Sequence, residues 1–119
     1  MIRKEQRDVW LIRAPFSDYS AMKVRPVIII SNNPYNRKTP DFLAVHITTR
    51  TDHPYSLPIS TGDFVSGELA DESIVRFDTI SRYEEKLLLR KIGKIKPEYH
   101  KKIYEKIVGL LNPGSVAGR

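Results

Sequence analysis

Arg25, His46, Thr48, Arg76 and Asp78 are the side chains of this 119-residue chain whose types and spacing could do chemistry together. Lys23-Val24-Arg25-Pro26 leads straight into Val27-Ile28-Ile29-Ile30, a continuous apolar run of the kind buried in a sheet or barrel core. Proline has no N–H for a ladder, so Pro26 belongs at a strand's first residue or on an edge. The residue before a proline is held extended, which makes Arg25 project from the strand mouth in a narrow range of directions. A guanidinium fixed at the rim of a packed core suits a phosphate. The same residues also describe an ordinary surface arginine beside a strand.

Side chains alternate across a strand. His46, Thr48 and Arg50 therefore share one face, with Val45, Ile47 and Thr49 on the other, and Arg76 shares a face with Asp78, opposite Val75 and Phe77. A half-solvated strand with no chemical role alternates in the same way.

Other chemistries lack their residues. The chain has no cysteine, which excludes disulfides, iron–sulfur clusters and thiolate chemistry and fits a reducing cytoplasm. Its three histidines, His46, His53 and His100, are scattered, so no preformed zinc site is expected. The six glycines are isolated, giving no phosphate-cradling loop, and there is no nucleophile elbow. What remains is arginines with a hydroxyl and a carboxylate on a chain of net charge +6. That set suits metal-free cleavage of RNA, in which the substrate supplies its own 2′-OH as nucleophile. Such an enzyme must take that proton, stabilise the pentacoordinate phosphate and protonate the leaving 5′-oxygen.

Positioning these groups requires a frame of short strands. Asp8–Ile12, Val27–Ile30, Phe42–Thr48, Ser73–Asp78 and Leu87–Ile92 read as strands, the last ended by Gly93. Tyr55–Ile59 reads as an edge strand because of Pro58. Pro15–Lys23 is a polar loop, and Asn32 to Pro40 is rich in turn residues. One helix starts near Pro97 and carries Tyr99, Ile103, Ile107 and Leu110/Leu111 on its core-facing stripe, ending at Asn112-Pro113-Gly114. The expected class is mainly β with a C-terminal helix (α+β), a small barrel. Residues 1–112 are expected to form one domain and 113–119 a short flexible tail.

Apolar residues at 40% and charged residues at 29% describe an ordinary globular chain. The charged N-terminus has no signal-peptide core. No run approaches the ~20 apolar residues of a membrane-spanning helix, so a cytoplasmic location is expected. Between Arg82 and Lys106, nine Lys/Arg stand against four Glu, placing +5 of the charge there. Such a field either attracts a polyanion or is a solvated lysine-rich face.

Several segments in order resemble the MazF/PemK family of toxin ribonucleases. They are Asp8-Val9-Trp10, Ala14-Pro15-Phe16-Ser17-Asp18, Lys23 to Ser31, Tyr35-Asn36, Val45-His46-Ile47-Thr48, Gly67-Glu68-Leu69, Ser73 to Ile80 and Lys91-Ile92-Gly93-Lys94-Ile95. The resemblance spans nearly all of Asp8 to Leu111. It implies an SH3-like barrel of the CcdB/PemK type, usually a homodimer whose groove holds single-stranded RNA. It also implies cleavage of mRNA at short sequences without a metal or other cofactor, leaving a 5′-OH. Two departures stand out: the glycine that usually precedes the first Asp is Arg7 here, and the loop before Arg-Pro lacks the histidine some members place there.

By position, Arg25 matches the arginine acting at the scissile phosphate and Thr48 the active-site threonine. Arg76 and Asp78 match an Arg-x-Asp pair used as acid and base in one branch. Arginine is too basic to take a proton, with a pKa above ~12, so Arg25 and Arg76 are expected to stabilise the transition state. Asp78 is the preferred base and His46 the weaker candidate. Lys23, Phe16, Tyr19, His46 and Thr49 are the candidate substrate-binding residues, the aromatics and Tyr35 as stacking platforms or plain packing. The implied partners are single-stranded RNA, a second copy, and an antitoxin with an acidic disordered tail. The alternatives are a toxin resembling CcdB, which binds DNA gyrase and cleaves nothing, and a degenerate RNA-binding member.

Overall fold

The run Val27–Ile30 lies at the centre of the fold. In the computed structural model, which describes residues 2–15, 22–50 and 52–114, Val27 and Ile29 enter one core cluster and Ile28 and Ile30 another on the opposite face. Burial on both faces explains an unbroken apolar strand.

The chain order is β1 Asp8–Pro15, β2 Met22–Ile29, α1 Asn33–Lys38, β3 Asp41–Thr48, β4 Ser56–Ile59, β5 Phe64–Gly67, β6 Ser73–Glu84, β7 Leu88–Ile95 and α2 Pro97–Leu111. All strand pairs are antiparallel, in the order β4-β6-β3-β2-β1-β7-β5. Helix α2 lays Tyr99 and Ile103 over Val9, Ile28, Val45, Ile47, Val75 and Phe77. On the other face Ile12, Val27, Ile29, Phe42, Ala44 and Leu88 pack together, with Tyr83 against them. The mainly β class with a C-terminal helix is as expected. Ile59 of one edge strand and Phe64 of the other both enter the core under α2, yet those edges do not pair, so "barrel" describes an open sheet loosely.

Several elements differ from the sequence expectation. Strand β1 runs on to Pro15, and β2 begins at Met22, so Lys23 is in a strand and Pro26, expected first or on an edge, is the fifth residue of an inner strand. The proline is tolerated there because the ladder to β3 begins only at Val27. The stretch after Asn32 is a short helix, because the Asn32 side chain accepts from Tyr35 N at 3.0 Å and Pro34 suits the first turn. Phe64–Gly67 is a further edge strand. Strand β6 continues past Asp78 to Glu84 across a bulge: Ala44 faces Ser81 while His46 faces Arg76. Strand β7 is not ended by Gly93 but runs to Ile95, since the glycine there accommodates a neighbour. A Cβ on Gly93 would sit 2.6 Å from Ser66 O and 3.0 Å from the Phe64 ring. The expected tail falls mainly on residues 115–119, outside the described residues. No helix among the described residues is long and apolar enough to cross a membrane.

The N-terminal arm is anchored by a buried cation. Lys4 Nζ donates to Asn36 O at 2.8 Å and Thr39 O at 3.1 Å and pairs with Glu85 at 2.9 Å. Arg7, which stands where the resembled family has glycine, has φ of 80°. It is held there by Arg7 N to Ile29 O (2.8 Å), Ile95 N to Arg7 O (3.0 Å) and the guanidinium to Ile95 O (2.8 Å). A left-handed conformation costs a non-glycine residue about 1–2 kcal/mol, and the guanidinium bond offsets it. Arg7→Ala should therefore destabilise by about 1–3 kcal/mol, the worth of a charge-assisted hydrogen bond. Arg7→Gly should lose about 1 kcal/mol less, having no strain to carry. Urea midpoints in the order wild type, glycine, alanine check this; an alanine variant as stable as wild type would contradict it.

Candidate functional site

Three neighbouring strands bring the predicted groups together. Val27 faces His46 across β2–β3, and His46 faces Arg76 across β3–β6. The same register carried two residues further sets Arg25 level with Thr48. Residues opposite each other share a face, so Arg25, His46, Thr48 and Arg76 open on one side of the sheet. They line a cavity of about 420 Å³ together with Lys23, Pro26, Thr49, Arg50, His53 and Thr79. Asp78 is not in that lining. It engages Arg76 through both oxygens, accepting from Nε at 3.2 Å and from Nη2 at 3.0 Å, a bidentate pairing that fixes the guanidinium plane. Phe16 and Tyr19 lie outside the described residues.

The β6 bulge shapes the floor of the site. Thr79 Oγ1 donates to Arg76 O at 2.8 Å and accepts from His46 N at 3.1 Å, so one hydroxyl satisfies the backbone where the ladder breaks. Thr79 and Tyr83 went unrecognised as site residues in the sequence. The segment Phe77-Asp78-Thr79-Ile80 carried the resemblance, but no alternation rule reveals a bulge, and Tyr83 was placed beyond the strand's expected end.

The electrostatics favour an anion. Arg25 Nε is buried and has no hydrogen-bond partner among the described residues, an unmet donor at the mouth of the cavity. Hydrogen bonds from Arg76 hold the Asp78 carboxyl below its usual range. Burial, aided by the charges of Arg25 and Arg76, pushes His46 down to about 4, so its imidazole is neutral at pH 7. Among the described residues, no three His, Cys, Asp or Glu are grouped to hold a metal ion. The basic segment after Arg82 is partly spent on structure: Arg82 pairs with Asp41, Lys86 with Glu84, Lys91 with Asp8, and Lys94 with Glu5 and Asp8.

His46 makes stability depend on pH. Its folded value lies below the ordinary 6.5, and burial lowers His100 in the same direction. The unfolded chain thus binds protons that the folded chain refuses. Stability is fully present above about pH 6.5 and falls as pH drops from there towards 4. The urea midpoint should be lower at pH 5 than at pH 7.5, with part of the drop absent in His46→Gln. Equal midpoints in the wild type would contradict the buried neutral imidazole.

The family model for PemK-like, MazF-like toxins of type II toxin–antitoxin systems matches residues 5–111. The chain belongs to this family. None of the curated proteins compared with it matches. Among solved structures, an endoribonuclease in complex with its cognate antitoxin from a mycobacterial species superposes with a TM-score of 0.73 at 24% identity, covering 95% of this chain and 99% of that one. The MazE–MazF complex (Form-III) from Deinococcus radiodurans gives 0.71 at 18% identity, covering 93% and 97%. The Mycobacterium tuberculosis toxin MazF-mt6 gives 0.67 at 19%, covering 89% and 99%.

Proposed function

We propose that this toxin is a metal-independent, sequence-specific endoribonuclease that cuts single-stranded RNA by attack of the RNA's own 2′-OH. The observation that carries the reading is the pair of guanidiniums, Arg25 and Arg76, on one cavity with Thr48 and His46. Two fixed cations receive the phosphodiester and then the extra charge that develops on its oxygens in the transition state. The buried Arg25 Nε gains its acceptor when the phosphate arrives. Thr48 hydrogen-bonds a phosphate oxygen or orients the 2′-OH.

Asp78 and His46 compete for the 2′-OH proton. Asp78 lies outside the cavity lining, and Arg76, which holds both its oxygens, lowers its basicity. His46 lines the cavity in its neutral form. Burial, aided by the two arginine charges, keeps the imidazole unprotonated, and bound phosphate offsets the arginine part. We assign the proton to His46 and the orientation of Arg76 to Asp78. Lys23 and Thr49 at the rim, with Phe16 and Tyr19, contact flanking nucleotides.

The mycobacterial relative bound to its cognate antitoxin supports a like partner here, with an acidic disordered tail drawn to the basic cavity. A homodimer working in the cytoplasm completes the proposal. The test is purified protein with a long single-stranded RNA in EDTA, with cut sites and end groups mapped. Discrete cuts leaving 5′-OH ends are expected. Intact RNA across varied sequences would move the weight to a non-cleaving, gyrase-binding toxin.

A further inference from the structure

His46 is held from behind by a residue that does not line the cavity. Its Nε2 lies 2.5 Å from Tyr83 Oη, and the two rings stack with centroids 5.8 Å apart and planes 22° apart. Tyr83 in turn leans on Phe42, with centroids 6.0 Å apart. The β6 bulge makes this contact possible: beyond it, Tyr83 pairs with Phe42, and its side chain reaches along the sheet face to the imidazole. His46 Nδ1 has no hydrogen bond among the described residues. The backbone N–H of His46 is fixed separately by Thr79. Ring and backbone of one cavity residue are therefore both anchored by β6. A phenol can donate to or accept from an imidazole nitrogen; when its oxygen accepts, it holds the proton on that nitrogen and leaves the other for chemistry.

We propose that Tyr83 is the positioning residue of the site, accepting the His46 Nε2 proton and so presenting an unprotonated Nδ1 to the 2′-OH of the bound RNA. This inference rests on the ribonuclease reading and names a residue it does not need. In the step, the 2′-O–H bond breaks and its proton passes to Nδ1 as the 2′-oxygen bonds phosphorus. The resulting imidazolium keeps its Nε2–H bond to Tyr83, so the tether survives proton transfer. The P–O5′ bond breaks, the leaving oxygen takes a proton from water, and the hydroxide so formed takes the Nδ1 proton once the product has left, restoring the neutral imidazole.

Two measurements on wild type, Tyr83→Phe, His46→Gln and the double variant test it. Nitrogen NMR of the His46 imidazole at pH 7 should find the proton on Nε2 in the wild type and a mixture of tautomers in Tyr83→Phe. With an RNA containing a mapped cut site, Tyr83→Phe should lower kcat about 10–100-fold, part of the ~10²–10⁴ that a positioned base contributes, with KM little changed. The double variant should be no slower than His46→Gln. The phenylalanine keeps the packing against Phe42, so a melting temperature near wild type is expected. A wild type that cuts RNA while Tyr83→Phe matches its kcat, or keeps the Nε2–H tautomer, overturns the positioning role and leaves the ribonuclease reading standing. The expected tautomers with RNA left intact by the wild type would overturn that reading, and with it the role of Nδ1.

Discussion

Arg25→Ala should lower kcat/KM on RNA about 10²–10³-fold, the cost of removing one preorganised donor from a developing oxyanion. Arg25 is the fourth residue of β2, opposite Ile12 of β1, and its side chain faces the cavity beside His46 and Thr48. Its Nε is a buried donor lacking a partner among the described residues, so removing it forfeits no hydrogen bond to any of them. The urea midpoint should be unchanged or slightly raised, the pattern of a site that trades stability for function. Arg25→Lys should recover little of the rate, because an ammonium is a point charge without the planar fork that grips two phosphate oxygens. Single-turnover rates and urea melts of the three proteins check this. An alanine variant that cuts at the wild-type rate would remove Arg25 from the machinery.

Gly67→Ala should destabilise the protein by about 2–5 kcal/mol, adding the strain of a left-handed residue to that of overpacking. Gly67 has φ of +81°, and a Cβ there would meet Ile92 O at 2.0 Å and Gly93 Cα at 2.6 Å. Both obstacles are backbone of β7 and cannot swing aside. Relief requires β5 to leave β7, which exposes Phe64, a member of the core under α2. Urea melts measure the loss, and hydrogen exchange should localise early opening to β5 and β7. A variant as stable as wild type would mean that β5 does not approach β7 so closely.

Much of the frame was legible in the residues. Val27–Ile30 announced a strand buried on both faces, Pro97 opened the terminal helix, and Arg76 with Asp78 two residues on showed a shared face that the bidentate pair makes concrete. What local patterns missed is long-range. The Asn32 cap and Pro34 suit a turn as well as a helix, and Lys4, distant in sequence, satisfies the carbonyls of Asn36 and Thr39 at the end of the helical stretch. Gly93 reads as a terminator unless one knows that Ser66 and Phe64 press on it. The β6 bulge has no signature in alternation, since it is created by the mismatch of β6 against β3, and with it Thr79 and Tyr83 stayed hidden. Within the site, Arg25, His46, Thr48 and Arg76 meet on one cavity as the strand phases require. Asp78 sits beside it, tied to Arg76, and on that ground His46 is the proposed base.

The most direct test replaces a single ribose. Once a cut site is mapped, the same oligonucleotide carrying one 2′-deoxyribose immediately 5′ of the scissile phosphate should bind as before and resist cleavage in EDTA, while its all-ribose parent is cut to a 5′-OH end. Cleavage of the deoxy-substituted strand at the same bond would contradict attack by the substrate's own 2′-OH at the Arg25–Arg76 cavity.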